Sequence, residues 1–509
     1  MDEKGKKLRI KNRMTFLATS FAQEDARNLI LLLVIGLVLR FYAFSQIYMI
    51  AIDGAFQYIS VAKLFYQGAY LEALRQPQLP LYPFLISIVT HITGNFELSG
   101  QMISMVFSLL AIFPLYMIAQ FLFGSKTGFW ATLLYLVNPL MLHCSVDVLK
   151  EGLLIFLFFS SVYCSLRFLR EGQGRWLIWT VVFTAAGALV SMIALVVVVV
   201  MGGWVAYSAM RGREKERKLF YRYRWSVIIV AGMMMLFFLP GLLGGDFLST
   251  KKPYKVVEGM FYRWFVSEWP SLPQIGERLL YVLDRFIEKT YYVSLPFAIF
   301  GLVWKLKTRE FSAEERYLAI LICVLIVIFF PNLYASGRYH LPAIFLLYLL
   351  AGFGFAKILE LIDIWFTKYR RLAPIILVII LFGSMVSFSL RPQRLDKVGY
   401  KEVGLWLRKQ TSAPSLILAD DPRVAYYAEG EYIMIPSGAT PEEIVKKGMA
   451  EGADYLVIEE RKSEISGAFA AFEKKGVLKL VLRHPYGRKG MVVYVYTMKK
   501  TKIPSQKIL

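Results

Sequence analysis

Long apolar runs separated by short polar stretches set the reading of this chain. Residues 29–46 (LILLLVIGLVLRFYAFSQ) and 373–390 (APIILVIILFGSMVSFSL) approach the roughly 20 residues that a helix needs to cross about 30 Å of hydrocarbon. Comparable runs cover 97–123, 126–143, 150–168, 176–190, 192–209, 225–243, 290–306, 316–331 and 340–360. The pattern predicts a mainly α, polytopic membrane bundle of about eleven spans. Residues 79–94 (LPLYPFLISIVTHITG) are also apolar, but they are short, open on two prolines and carry His91 near their end. Beyond 390 the apolar runs shrink to strand length (SLILA, YLVIE, MVVYVYTM) and alternate with the helix-like PEEIVKKGMAEG. That change predicts a small water-soluble α/β domain, with AYYAEGEYIMIP and ADYLVIEE as core strands. The expected division is a basic N-terminus over 1–27, a transmembrane domain over 28–390 and a soluble domain over 391–509.

Charge decides the status of residues 79–94. If they lie on the membrane surface, the run 211–224 with its seven Lys and Arg, the segment 305–316 and the segment 357–371 all share the cytoplasmic side with the N-terminus. If they span, all of these flip outward. The excess of basic residues expected on the cytoplasmic side therefore favours an interfacial helix, and an N-in, C-out topology. Residues 47–95 then form a large external loop with a second surface helix near 55–67. The segment around Asp147, the loop 244–289, the turn 332–339 and everything after 390 are external too. The basic start, MDEKGKKLRIKNRM, precedes a full apolar run without a small-residue cleavage site and reads as an uncleaved signal anchor. A multi-pass protein of a bacterial inner membrane follows, with its soluble domain on the periplasmic side.

Composition adds little to this picture and removes two alternatives. The net charge of +22 resides largely in loops between apolar runs, where it reports orientation rather than a nucleic-acid partner. Cys144, Cys164 and Cys323 lie in or beside apolar segments without paired spacing. They read as small core residues, not as a disulfide framework or a zinc site.

Three clusters carry candidate chemistry, and each also has a plainer reading. Asp53, in IDGAFQY, follows the first span. A solvated interfacial Asp would satisfy that position, but Tyr48, Phe56, Tyr58 and Tyr66 surround it in sequence, and a carboxylate in an aromatic cleft can accept a proton from an attacking hydroxyl. In SVDVLKEG, Asp147 and Glu151 are four residues apart, a spacing that puts both on one face of a helix. Acids at a helix start are ordinary; the alternative is that Glu151 shapes the acceptor or metal site while Lys150 contacts phosphate. In ASGRYHLP, Arg338 either snorkels to headgroups or binds a lipid-carrier phosphate with its planar fork, with Tyr339 and His340 beside it. Lys63, Arg75, Lys251, Lys252, Arg263 and Arg285 are further basic candidates. A divalent metal, Mg or Mn, would find Asp53, Asp147 and Glu151 as its candidate ligands.

Taken in order, these pieces resemble the C-type glycosyltransferases, which include oligosaccharyltransferases, protein O-mannosyltransferases and the aminoarabinose transferases acting on lipid A. The resemblance rests on Asp53 in DGAFQYISVAK, then QPQLPLYPFL, then FGSKTGFWATLLYLVNP leading to DVLKEGLLIFLFF, and last RYHLPAIFLLYLLAG. It covers most of residues 28–360 as an arrangement, and the soluble tail is similar to the external domains of the aminoarabinose and mannosyl branch. It implies that Asp53 is the catalytic acidic residue, that Glu151 matches the second acidic position and that Arg338 lies near the donor phosphate. It further implies inverting transfer from a polyprenyl-phosphate sugar to a glycan, lipid or protein acceptor. Gly54 stands where protein O-mannosyltransferases have a second acid, which weighs against that acceptor class. The second loop lacks an Asp-x-Asp pair, which weighs against the metal-dependent oligosaccharyltransferase mechanism. A transporter or flippase of lipid-linked sugars is the rival, and it predicts charges deep within spans and discontinuous helices. A membrane-anchored sensor leaves the first external loop unexplained.

Overall fold

In the computed structural model, residues 3–211, 294–308, 311–329, 337–365, 372–411, 414–436, 438–460, 469–486 and 491–498 are described, with isolated positions between 276 and 288. The chain divides into two compact units. One comprises residues 1–45 and 61–391, the other residues 46–60 and 392–509. The expected span 225–243, most of the run 211–224, and Lys251, Lys252, Arg263 and Arg285 lie outside the described residues.

The described elements of the first unit are all helices. Six described helices are long and apolar enough to cross a membrane, seven if a bent pair counts as one span. The runs near 176–190, 290–306 and 316–331 do form helices, at Gly174–Ala188, Leu295–Thr308 and Ala313–Phe329, but each has fewer than 18 residues. Helices Phe96–Leu110 and Ile112–Phe123 run on as a single apolar stretch of 28 residues. Their junction follows from Pro114, which has no N–H to return to the carbonyl four residues back.

The expected span over 126–143 is broken in the middle. Helices Ser125–Val137 and Pro139–Val146 meet at 64°. The cause is local: Asn138 leaves helical geometry, its side chain accepts from the Met141 N–H at 2.9 Å, and Pro139 starts the new helix, where a missing N–H costs nothing. Asn138 Nδ2 also donates to the Tyr348 hydroxyl at 2.8 Å, so the break is sealed inside the protein. Broken helices at membrane depth are tolerated in that setting.

Close helix contacts depend on glycine. A Cβ on Gly301 would sit 2.5 Å from the Leu350 carbonyl oxygen, and one on Gly354 would strike that of Phe297. Small residues let backbones approach where apolar lipid removes the hydrophobic drive for association. Cys144 and Cys164 are buried, as expected, whereas Cys323 is exposed on its helix.

Residues 79–94 form the helix Leu81–Thr93, well short of a span. Tyr82, Pro83, Ile86, Ser87 and Thr90 face protein, while Phe84, Ile88 and Ile92 are exposed at helical spacing. Apolar residues turned outward on a short helix suit the membrane interface. Rings tie it to its neighbours: Phe65 meets Phe84 edge-on at 5.5 Å, and Tyr66 lies 4.4 Å from His91 and 5.4 Å from Phe96.

The second unit is built on a mixed sheet of strands β1 (Leu416–Ala419), β2 (Glu431–Met434), β3 (Tyr455–Glu460), β4 (Leu478–Tyr486) and β5 (Met491–Met498), in the order β2-β1-β3-β5-β4. β1 pairs parallel with β2 and β3, while β5 runs antiparallel to β3 and β4. Helix Pro441–Glu451 starts at a capping box between Thr440 and Glu443. Strand β2 occupies EYIM, but the preceding AYYA is helix Arg423–Ala428 rather than strand. Pro422 stands at its N-cap, and Glu429 closes it in a left-handed conformation, φ 52°. β4 escapes a reading by alternation because it carries Pro485, which is acceptable on this edge strand.

Candidate functional site

In the first unit the acidic cluster is assembled from two helices, not one. Asp147 ends helix Pro139–Val146 in an extended conformation, and Glu151 begins helix Glu151–Glu171. The four-residue spacing thus spans a turn, closed by the Leu149 N–H on the Asp147 carbonyl at 2.8 Å. The helical-face argument for this pair is overturned. Both acids are nonetheless buried, Glu151 at 4% exposure, and the Asp147 carboxylate accepts the Val148 N–H at 2.7 Å.

Their burial is enforced by backbone packing. Ser104 Oγ donates to the Leu149 carbonyl at 2.8 Å, and a Cβ on Gly152 would lie 2.5 Å from the Ser104 carbonyl oxygen. Tyr82 completes this wall, its hydroxyl 2.8 Å from Ser104 Oγ and 3.1 Å from the Gly100 carbonyl. Burial pushes the Tyr82 hydroxyl well above its ordinary pKa, and the nearby charges of Asp147 and Glu151 push the same way. Tyr82 is therefore a neutral hydrogen-bonding post, one that the sequence reading did not single out.

Arg338 sits on the short turn Gly337–His340 that leads into helix Leu341–Trp365. Its Nη1 lies 3.5 Å from Glu151 Oε1, and the two side chains are 23% and 6% exposed. Glu151 Oε2 is buried without a hydrogen-bond partner. The structure thus brings Arg338 and Glu151 together from sequence positions nearly 190 residues apart. Lys150 is half-buried at the N-cap of the Glu151 helix; His340 is buried and Tyr339 is 40% exposed. Lys63 and Arg75 are exposed, on helix Ile59–Tyr66 and just after helix Tyr70–Leu74.

Asp53 belongs to the second unit. It is half-buried and precedes a π-helical turn, Gly54–Tyr58, with Gln57 Nε2 donating to its Oδ1 at 3.0 Å. Of the aromatic residues expected around it, Phe56 rests against Tyr432 of β2 at 5.7 Å and Tyr58 is buried, whereas Tyr66 falls in the first unit with His91 and Phe96.

The sequence reading also passed over Arg40. It lies inside the first apolar run and is fully buried, and an ionisable residue within a span is a signal in its own right. Its Nε donates to Ser108 Oγ at 2.7 Å and its Nη1 to the Gly36 carbonyl at 3.3 Å.

A metal would need a set of ligands that these residues do not supply. Among the described residues no three His, Cys, Asp or Glu side chains converge, and Glu151 faces the Arg338 guanidinium.

Comparison with known proteins gives the fold. Residues 75–242 match the family described as dolichyl-phosphate-mannose-protein mannosyltransferase, a stretch that includes Asp147 and Glu151 but neither Asp53 nor Arg338. No curated relative matches. In fold, the chain is similar to ArnT from Cupriavidus metallidurans bound to undecaprenyl phosphate, at 15% identity and TM-score 0.59, over 92% of this chain and 97% of that one. It is also similar to the oligosaccharyltransferase of Archaeoglobus fulgidus, at 14% identity and TM-score 0.58, over 92% of this chain and 72% of that one. The archaeal oligosaccharyltransferase AglB from Archaeoglobus fulgidus, in complex with an inhibitory peptide and a dolichol-phosphate, is similar at 11% identity and TM-score 0.57, over 95% and 75% of the two chains. The fold is the one that these membrane transferases share, and the family match over residues 75–242 points the same way. The fold is shared with ArnT along nearly the whole of both chains, while about a quarter of the archaeal enzyme has no counterpart here.

Proposed function

We propose that this protein transfers a sugar, with inversion, from a polyprenyl-phosphate carrier to a lipid, polysaccharide or protein acceptor at the outer face of a cell membrane. The observation that carries this reading is the Arg338–Glu151 pair at 3.5 Å, set in a helical unit with the fold of transferases, one of them bound to a polyprenyl phosphate. Arg338 takes the carrier phosphate. An acceptor hydroxyl attacks the anomeric carbon, the bond from that carbon to the phosphate oxygen breaks, and negative charge gathers on the departing lipid phosphate, where a guanidinium stabilises it. The hydroxyl proton passes to Asp53; a carboxylate of ordinary acidity suffices because the hydroxyl becomes acidic as its new bond forms. Glu151 keeps the Arg338 fork aimed until the phosphate arrives.

The transporter reading has two observations on its side, the buried Arg40 and the helix broken at Asn138. Neither lines an open path. Arg40 is sealed among Ser108, Gly36 and Tyr135, and the break is closed by Tyr348. Mass spectrometry of surface glycans and glycolipids, with and without the gene, tests the proposal. A single sugar missing from one glycan in the deletion strain, restored by the wild-type chain and not by Asp53→Asn, is the expected result. Unchanged glycans in the deletion strain would refute the enzyme reading.

A further inference from the structure

Residues 46–50 lead from the first span to Asp53, and the second unit grips their backbone at five points. Gln393 N–H donates to the Gln46 carbonyl at 3.0 Å and its own carbonyl accepts the Tyr48 N–H at 3.4 Å. Arg394 Nη1 donates to the Met49 carbonyl at 2.9 Å. The Ile50 N–H donates to the Tyr427 hydroxyl at 3.1 Å, and the Ile50 carbonyl accepts Arg423 Nη1 at 3.3 Å. Met49 and Ile50 are fully buried. On the far side of Asp53, the Phe56 ring is stopped against Tyr432.

Arg423 is itself held in one orientation. Its Nε and Nη2 meet the two carboxylate oxygens of Asp421 at 2.8 and 2.5 Å, and Asp421 Oδ1 also accepts the Arg423 N–H at 3.0 Å. Only Nη1 is turned toward the loop. Both residues are buried, Arg423 at 5% exposure. A buried ion pair adds little net stability over apolar residues of similar size, and its best-attested use is to fix one arrangement. Here the arrangement it fixes is the backbone three residues before Asp53.

We propose that the tail takes part in the reaction as a positioning device: Arg423, oriented by Asp421, and Tyr427 fix residues 49–50 and thereby set where the Asp53 carboxylate stands. This rests on Asp53 as the acceptor's base. Positioning at this level matters because a displacement of about 1 Å at a reacting group costs on the order of a hundredfold in rate.

The test uses the full-length chain in nanodiscs for hydrogen exchange, and cells for the glycan that the deletion strain lacks. Two variants avoid a lone buried charge: Tyr427→Phe, and Asp421→Asn combined with Arg423→Met. In the double variant, exchange at Tyr48 and Ile50 is expected to rise about tenfold, as loss of a charge-assisted bond implies, while β1 and β3 keep their protection. The product glycan, normalised to protein in the membrane, falls by about tenfold or more. Tyr427→Phe gives the same pattern at about fivefold, the size of one neutral hydrogen bond. Unchanged loop exchange overturns the proposal, and so does exchange that rises across the whole sheet, which marks a merely structural role. Product retained in Asp53→Asn overturns the assignment of the base, and the proposal with it, whatever the exchange shows. Product lost in Asp53→Asn but retained in both tail variants, despite a loosened loop, overturns the proposal alone.

Discussion

Two arginines are buried among the described residues, and the two units accommodate them differently. Arg40, in the helical unit, is surrounded by a hydroxyl, a backbone carbonyl and the Tyr135 ring at 5.9 Å, with its Nη2 left without a hydrogen-bond partner. Among the described residues no carboxylate lies within ion-pair distance of it. Arg423, in the tail, is matched oxygen for nitrogen by Asp421 and spends its remaining donor on a loop carbonyl. Dipoles and a ring solvate the first charge without cancelling it; a counter-charge cancels the second and fixes its direction. The membrane unit organises its acidic cluster by close packing, and the tail organises Asp53 by paired charge.

The sharpest way to break this comparison is Asp421→Asn alone. It leaves a buried guanidinium uncompensated and is expected to cost the tail about 3–5 kcal/mol, read as a fall in the thermal unfolding midpoint of the purified protein. Next comes Arg40. Arg40→Ala, which opens a cavity, is expected to cost about 2–4 kcal/mol, but Arg40→Met, which refills the volume, less than about 1.5 kcal/mol. Equal losses in the two variants would show that the charge of Arg40 is paired after all. For the packing half of the contrast, Gly152→Ala drives a methyl onto the Ser104 carbonyl and is expected to cost about 1–3 kcal/mol, checked by the same melting experiment.

The smallest effect is one of pH. Burial works to raise the Glu459 carboxyl, but Lys397 at 2.5 Å and the hydroxyls of Tyr486 and Tyr400 outweigh it and hold the group below its usual value. A depressed carboxylate stabilises the fold above the unfolded value near ~4.3, and that contribution is lost as pH falls through the folded value. Asp420 works in the opposite sense, raised by its burial, with the Glu459 charge adding to the shift. Lys397→Met should therefore lower the melting temperature at pH 7 and match the wild type in strong acid. A constant gap between the two at every pH would remove the charge argument.

How much of this was legible follows from where each signal resides. Apolar run length fixed the membrane reading, and the shift to strand-length runs after 390 marked the tail, because both are local properties. The bend at Asn138 was hidden: apolar residues flank it on both sides, and only the Asn-Pro step betrays it. The same step starts the short helix that ends at Asp147 and so separates it from the helix of Glu151. Arg40 is visible in LILLLVIGLVLRFYAFSQ, but a single cation in an apolar run does not by itself show whether it is buried or snorkels to the surface. The charge rule places Glu151 and Arg338 on one face of the membrane, but nothing in their spacing pairs them. The grip of Arg423 on Ile50 had no local signature at all, since AYYAEGEYIMIP reads as strand until Pro422 and Glu429 are recognised as helix ends.

That grip has a consequence for synthesis. Ile50 and Arg423 stand 373 positions apart, and a ribosome adding about 5–20 residues per second needs roughly 20–75 s to travel between them. Throughout that interval the segment carrying Asp53 has been made but its anchor has not. A prematurely terminated chain could insert all its helices and still lack a seated Asp53, so completion of translation acts as the final assembly step.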